Sequence, residues 1–311
     1  MAPRVARLSA VAKASWPGHE NVARAVHSRA VQRRPLLLLW LVPLCLYSTS
    51  AFAWGLYTHV YFAQLLIWVV PIADPALRRL ARRMPHLVMS GACLPDLAVL
   101  GPRVGTPAFR DTHEWGRARA LLHHARSDEE KALALGFSSH LLVDVIAHNH
   151  FVPAHETVWV DIPLLTHLVA EWAMDAHVER QLFATPAQLL DGNRDRLARF
   201  VAEQFHCPIE AATRSLRWLG RGDHCLRTSR VPNTLYRWGQ WLDPRLRRRF
   251  DYYAAQTATR LAQINRLLEG AEPAWSADLI CPKVKRARMR NYSVDELRDR
   301  LPLPADLFRQ A

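Results

Sequence analysis

The chain has 311 residues, half of them hydrophobic and 22% charged, with 12 Gly, 20 Pro and 11 Trp; this composition excludes a disordered chain, a collagen-like repeat and a coiled coil, and implies a packed core. The formal net charge is +13 and the pI about 10.2, which taken alone points to an anionic partner such as nucleic acid. That reading changes once the N-terminal segment is set apart.

Residues 35–73 contain no Asp, Glu, Lys or Arg and follow the pair Arg33 and Arg34. The densest apolar run is roughly a dozen residues, short of the ~20 that span a bilayer. It leads to Ala51, Phe52 and Ala53. A basic region, a short apolar region and an Ala-x-Ala sequence describe a secretory signal peptide cleaved after Ala53. The competing readings are an uncleaved anchor and, from the arginine pair, twin-arginine export. The expected organisation is an extension plus signal over 1–53 and one domain over 54–311. The leader holds seven basic residues and one acidic residue, so 258 of the 311 remain with 34 basic against 27 acidic, a net +7. Much of that excess lies in two clusters: Arg245 with Arg247, Arg248 and Arg249, and Lys283 with Lys285, Arg286, Arg288 and Arg290. Each reads as a solvated face or as an attraction to anionic lipid or nucleic acid. The remaining cysteines, Cys93, Cys207, Cys225 and Cys281, are an even set for which an oxidising compartment favours one or two disulfides. They lack the Cys-x-x-Cys spacing of a zinc site.

Along the chain the pattern is helical, with helices expected over 57–69, 75–84 and 114–125. Ser127 with Glu130 forms a capping box at the head of a helix running to Phe151. Asp161 and Pro163 open an amphipathic run over 161–183, and further helices are expected over 186–204, 208–219, 235–268 and 293–300. No alternating strand pair stands out, and 95–107 and 270–283 read as loops. The fold class expected is therefore all-α, a single-domain multi-helix bundle.

Chemistry is suggested by where His, Asp and Glu fall. His140, Asp144 and His148 recur at intervals of four on one helix, and His167 and Glu171 at the same interval on the next. Residues four apart share a helix face, so each helix presents imidazole and carboxylate together, as metal ligands are presented. On apolar faces such groups are costly unless paired or metal-bound. His123, His124, His155 and His177 fall outside this pattern and read as structural, as do Trp115, Phe151, Trp159 and Trp172, any of which could alternatively line a cleft.

Five fragments stand in order: Trp54-Gly55-Leu56-Tyr57-Thr58-His59, Leu94-Pro95-Asp96, Asp111-Thr112-His113-Glu114-Trp115, Gly136-Phe137-Ser138-Ser139-His140 through Asp144 to His148, and His167 with Glu171. Together they resemble the zinc-dependent phospholipase C family, whose relatives include the fungal single-strand nucleases and glycosylphosphatidylinositol-specific phospholipase D. The resemblance implies a centre of up to three Zn2+ ions. One ion would take Asp96, His113, His140 and Asp144, and a second His148, His167 and Glu171. The third would take the α-amino group and carbonyl of Trp54 with His59 and a shared oxygen of Asp144. Since an α-amino nitrogen becomes a ligand only when cleavage exposes it, export and activation would be one covalent event. The resemblance also gives Asp96 the catalytic role of orienting a hydroxide held between two zincs. In the family's phospholipases the histidine after the aspartate lies six residues on; here histidine stands at both four (His148) and six (His150). His148 is the favoured ligand, with His150 as the alternative or as a group supporting the ligands.

The function expected is a secreted or periplasmic phosphodiester hydrolase, a phospholipase C cutting on the glycerol side of the phosphate. The alternative is a single-strand nuclease with the same centre, favoured by the residual +7 and by the five-residue spacing from Trp54 to His59. A third reading is a non-catalytic, membrane-anchored helical envelope protein without zinc. The partners implied are a phospholipid or other phosphodiester substrate and peripheral contact with an anionic membrane, with nucleic acid only under the nuclease reading and no protein partner.

Overall fold

The computed structural model describes residues 55–99, 107–159, 163–277, 289, 291–299, 303 and 306–308, all within the unit Ser50–Ala311. The leader, its cleavage point, Trp54, Cys281 and the basic cluster 283–290 lie outside the described residues, apart from the position of Met289. The helices are α1 Leu56–Trp68, α2 Pro75–Arg83, α3 Pro85–Gly91, α4 Trp115–His124, α5 Asp128–Ile146, α6 Val152–Val158, α7 Pro163–Val178, α8 Pro186–Gly192, α9 Arg194–Gln204, α10 Ile209–Thr228, α11 Val231–Leu242, α12 Leu246–Arg260, α13 Ile264–Leu268 and α14 Val294–Asp299. Among the described residues no strand forms; the one bridge, Pro273 with Phe308, is isolated. The fold is all-α. No described helix is long and apolar enough to cross a membrane.

Side-chain caps account for several helix starts. Asp74 caps α2 by accepting from Ala76 and Leu77 backbone N–H, with Pro75 in the first turn. Ser127 and Glu130 close the expected box on α5, and Thr185 with Gln188 does the same on α8. Several expected boundaries need correction. The 235–268 segment is three helices rather than one: Pro244 cannot continue α11 and Asp243 Oδ1 accepts from the backbone N–H of Arg245, and a 3-10 turn, Leu261–Gln263, separates α12 from α13. The 186–204 segment breaks at Asn193, whose amide donates to the Leu189 carbonyl and to Ser90 Oγ. Helix α10 runs nine residues past its expected end at 219, since Gly220 and Gly222 weaken a helix without stopping it. Helices α3 and α6 were not expected, being too short to show a period.

The 127–151 helix also ends differently. After Ile146 it widens into one π turn, Ala147–Phe151, where the Val152 N–H reaches the Ala147 carbonyl. Pro153 offers no N–H to an unbroken α ladder and lies in the first turn of α6.

Helix α5 is the axis of the bundle. From Ala132 to Ile146 every side chain is buried, as befits a helix apolar all round. It packs against α1, α3 and α4, and its crossing with α3 is very close. A Cβ on Gly136 would lie 1.9 Å from the Val88 carbonyl oxygen, and one on Gly91 2.3 Å from that of Leu133. Two glycines facing opposite ways across the contact let the backbones touch.

Among the described residues no disulfide joins the expected cysteines: Cys93, Cys207 and Cys225 are free thiols, and Cys281 lies outside them. Cys93 faces the core while Cys225 faces solvent on α10, and burial pushes the Cys93 thiol well above its ordinary pKa.

Gly136→Ala is expected to destabilise the protein by about 1–3 kcal/mol or more through overpacking at the crossing. Gly222→Ala, whose Cβ would meet nothing within 4 Å, is expected to stabilise by roughly 0.5–1 kcal/mol through helix propensity. Urea denaturation of the two variants checks both signs.

Candidate metal centre

Asp144 is fully buried on α5, one turn from His140 and one turn from His148. Its Oδ2 lies 3.1 Å from His140 Nε2 and 3.4 Å from His113 Nε2; its Oδ1 lies 3.3 Å from His59 Nε2 and 3.9 Å from His148 Nε2. Four imidazoles therefore meet one carboxylate, arriving from α1, from the turn before α4, from α5 and from the π turn. Asp96, on the 3-10 turn Pro95–Val99, adds a second carboxylate: its Oδ1 is 3.8 Å from His113 Nε2 and 3.9 Å from His140 Nε2. The His59 and His140 rings stack at 3.5 Å. One turn apart on α7, His167 Nε2 and Glu171 Oε1 are 2.7 Å apart, with the His148 ring 5.2 Å from that of His167.

The donor atoms fall into three groups, each with all members within 4.8 Å of one another: His59, Asp96 and His140; His113, His140 and Asp144; His148, His167 and Glu171. His148 joins the third group and His150 joins none of them. Of the residues expected to bind metal, only Trp54 cannot be placed.

The residues fit a divalent cation. Asp96 Oδ1 and both oxygens of Asp144 are buried and face imidazole nitrogens at 3.1–3.9 Å. His113 Nε2 and His140 Nε2 face each other at 3.3 Å, an arrangement natural to two ligands of one ion. Imidazole nitrogen with carboxylate oxygen is a donor set that suits zinc.

Electrostatics divides the acids into two kinds. At Asp144 burial opposes the charge, but His140 and His59 overcome it and hold the carboxyl well below its ordinary value. Asp96 goes the other way: burial pushes it up to about 7 against the pull of His140, with Asp144 adding to the rise. Glu171 is pushed well above the ordinary carboxylate range by burial and by Asp144 and Asp96. Burial brings His113 down to about 3, so its imidazole is neutral and ready to ligate.

Supporting contacts orient the rings. His140 Nδ1 lies 2.8 Å from the Ala92 carbonyl, a contact that turns Nε2 toward the carboxylates. The Thr112 hydroxyl donates to the Pro95 carbonyl at 2.7 Å and lies 3.3 Å from His113 Nδ1, tying the segments that carry Asp96 and His113.

Sequence reasoning missed the clamp on the start of α1. Asp175 on α7, fully buried, accepts from both the backbone N–H of Thr58 at 2.9 Å and its hydroxyl at 2.7 Å. Its other oxygen is paired with Arg227 of α10, whose guanidinium also lies 4.2 Å from the Tyr57 ring centre and 3.5 Å from Asp223 Oδ1. A Cβ on Gly55 would lie 1.9 Å from Asp175 Oδ2. The carboxylate takes the place of a local cap at the helix N-terminus and fixes the backbone leading to His59. A buried Asp four residues after Glu171, on the same helix, was the available signal.

Two histidines outside the pattern, His155 and His177, have structural partners, while His123 and His124 are exposed. His155 Nε2 accepts from Arg249 Nε at 2.9 Å, and its Nδ1 lies 2.7 Å from the Phe151 carbonyl; burial and Arg249 hold it neutral. His177 lies between Tyr236 Oη at 2.7 Å and Asp251 at 3.0 Å. Trp115 is buried and donates to the Trp275 carbonyl, and Phe151 is core.

A family model described as zinc dependent phospholipase C matches residues 58–206, the stretch that carries every candidate ligand placed above. Comparison with curated proteins and with solved structures gave no match. The family and the clusters together support a zinc-dependent phospholipase C-like hydrolase.

Apparent zinc affinity is expected to depend on pH with a definite sign. Below about 7 the metal must displace a proton from Asp96, and Glu171 adds to that competition, while His113, neutral down to about 3, adds none. Affinity should therefore fall at least about tenfold per pH unit as pH drops from 7 toward 5.5. Chelator competition across that range measures the slope; a flat profile contradicts the assignment.

Proposed function

We propose, from the premise that residues 58–206 belong to the zinc-dependent phospholipase C family, that the protein is a phospholipase C cutting the bond between glycerol and phosphate. The observation that carries this reading is the convergence of four imidazoles on the buried Asp144 carboxylate, with Asp96 facing two of them. Asp144, Asp96, His113 and His140 would hold one ion; His148, His167 and Glu171 a second; and His59 with Asp144 and the freed Trp54 a third. When bound, zinc supplies Lewis acidity for the phosphate oxygens and lowers the pKa of an attacking water toward neutrality.

The chain's own groups do the rest. Asp96, buried beside His113 and His140, is placed, once ionised, to accept a hydrogen bond from the attacking water and to orient it toward phosphorus. Asp144, held ionised, keeps several ligand histidines on one anchor. The walls of α1, α5 and α7 shield the carboxylates from bulk water, which strengthens each interaction.

We further propose export with cleavage after Ala53, which is supported by the basic, apolar and Ala-x-Ala succession and by the clamp on residues 55–58 immediately beyond it. Asp175 and Arg227 would then present the new amino terminus next to His59.

Purified protein incubated with phosphatidylcholine is expected to release phosphocholine and to leave single-stranded DNA intact; cleavage of DNA alone overturns the lipid reading. Asp96→Asn is expected to lower kcat by roughly 10²–10⁴-fold with the helical circular dichroism unchanged. Intact mass and metal content test the remainder: a chain starting at Trp54 and carrying zinc is expected, and an uncleaved, metal-free chain contradicts it.

A further inference from the structure

Helix α11 has a core face and an apolar outer face. Inward, Tyr236 bonds His177 and Asn233 donates to Glu179 Oε2 at 2.7 Å, so the helix is docked on the α7 side of the bundle. Outward, Trp238 is 66% exposed, Trp241 82% and Leu242 73%. Positions 238, 241 and 242 share one face at helical spacing, and such a concentration of large apolar side chains on a surface marks an interaction site.

The surroundings of this patch are cationic. Arg237, Arg247 and Arg248 are exposed and make no ion pair among the described residues. The nearest acid in sequence, Asp243, is engaged inward by Arg249 Nη2 at 2.8 Å. Arg245 is balanced by Asp295 and Asp299, each at 3.5 Å. Beside Trp238 opens a cavity of about 680 Å³ whose walls include Val158, Trp159, Val169, Leu235 and Leu242. Val169 and its neighbour along the wall, Thr166, belong to α7, the helix that carries His167 and Glu171.

We propose that the C-terminal end of α11, with Trp238, Trp241 and Leu242 inserted at headgroup depth and Arg237, Arg247 and Arg248 over the phosphates, docks the protein on an anionic phospholipid bilayer. Indole rings favour the interface between headgroups and acyl chains, being apolar with one polar N–H. Exposed arginines gain attraction from anionic lipid. This charge complementarity selects a lipid surface over an uncharged apolar partner, and the mixture of aromatic and cationic groups at one helix end is that of an interfacial anchor. The proposal rests on the phospholipase reading for its purpose, but vesicle binding is measured without turnover, so either can fail while the other stands.

The test is sedimentation of the purified full-length protein with vesicles of phosphatidylcholine and phosphatidylserine, at low and high salt, alongside Trp238→Ala/Trp241→Ala and Arg237→Gln/Arg248→Gln. Partitioning of the unaltered protein is expected to weaken at high salt and on omission of phosphatidylserine. Each double variant should lose roughly tenfold or more in vesicle affinity while keeping its circular dichroism and its hydrolysis of a water-soluble phosphodiester. Quenching of tryptophan fluorescence by lipids brominated on the acyl chain should vanish in the tryptophan variant. Absence of vesicle binding, or equal binding by the tryptophan variant, overturns the proposal. So does a dimer in ultracentrifugation that the same variant dissolves, or binding of single-stranded DNA in place of vesicles.

Discussion

The candidate centre depends first on how closely α3 and α5 approach. With Gly91 and Gly136 at the crossing, each backbone lies where the other's Cβ would be. That proximity lets His140 Nδ1 reach the carbonyl of Ala92, at the end of α3. It also brings the following turn, with Asp96, over the face that α5 presents. Any widening of the crossing would draw Asp96 away from His113 and His140 while leaving the two helices individually intact. Asp96, the carboxylate proposed to orient the attacking water, is thus positioned by a contact between main chains several residues away.

A second constraint is charge. A site of buried carboxylates and imidazoles is unfavourable in a low-dielectric interior unless the charges compensate each other. Here compensation is uneven: Asp144 is stabilised by several histidines, whereas Asp96 and Glu171 resist ionisation. A divalent cation supplies the missing positive charge, so metal binding and the ionisation of these acids are thermodynamically linked. Away from the centre, buried polar and charged groups pair directly, as at His155 with Arg249 and at Asp175 with Thr58 and Arg227.

What the sequence revealed follows from how local each feature is. The spacing of His140 and Asp144 is a property of one helix, and both stand on one face of α5; His148 lies in the π turn beyond it, 3.9 Å from Asp144. His167 and Glu171 are equally local. Asp96 and His113 sit on irregular backbone, where no periodicity marks them, and only the resemblance singled them out. The Asp175 clamp joins residues more than a hundred positions apart, and the reason for Gly55 is a side chain on another helix; neither is visible in a linear pattern. Helix boundaries failed where one residue decides them, at Pro244, Asn193 and Pro153. The even cysteine count says nothing about direction, and the three described thiols face different surroundings.

The π turn at Ala147–Phe151 carries a consequence for phase. Each residue added to an α-helix rotates everything beyond it by about 100° about the axis, so the surplus residue in this turn sets the direction in which α6 leaves α5. Helix α6 packs on α7, whose His167 and Glu171 stand with His148. Removing one residue from this turn would keep every ligand in the chain and still rotate α6, and the face it offers to α7, away from its present heading.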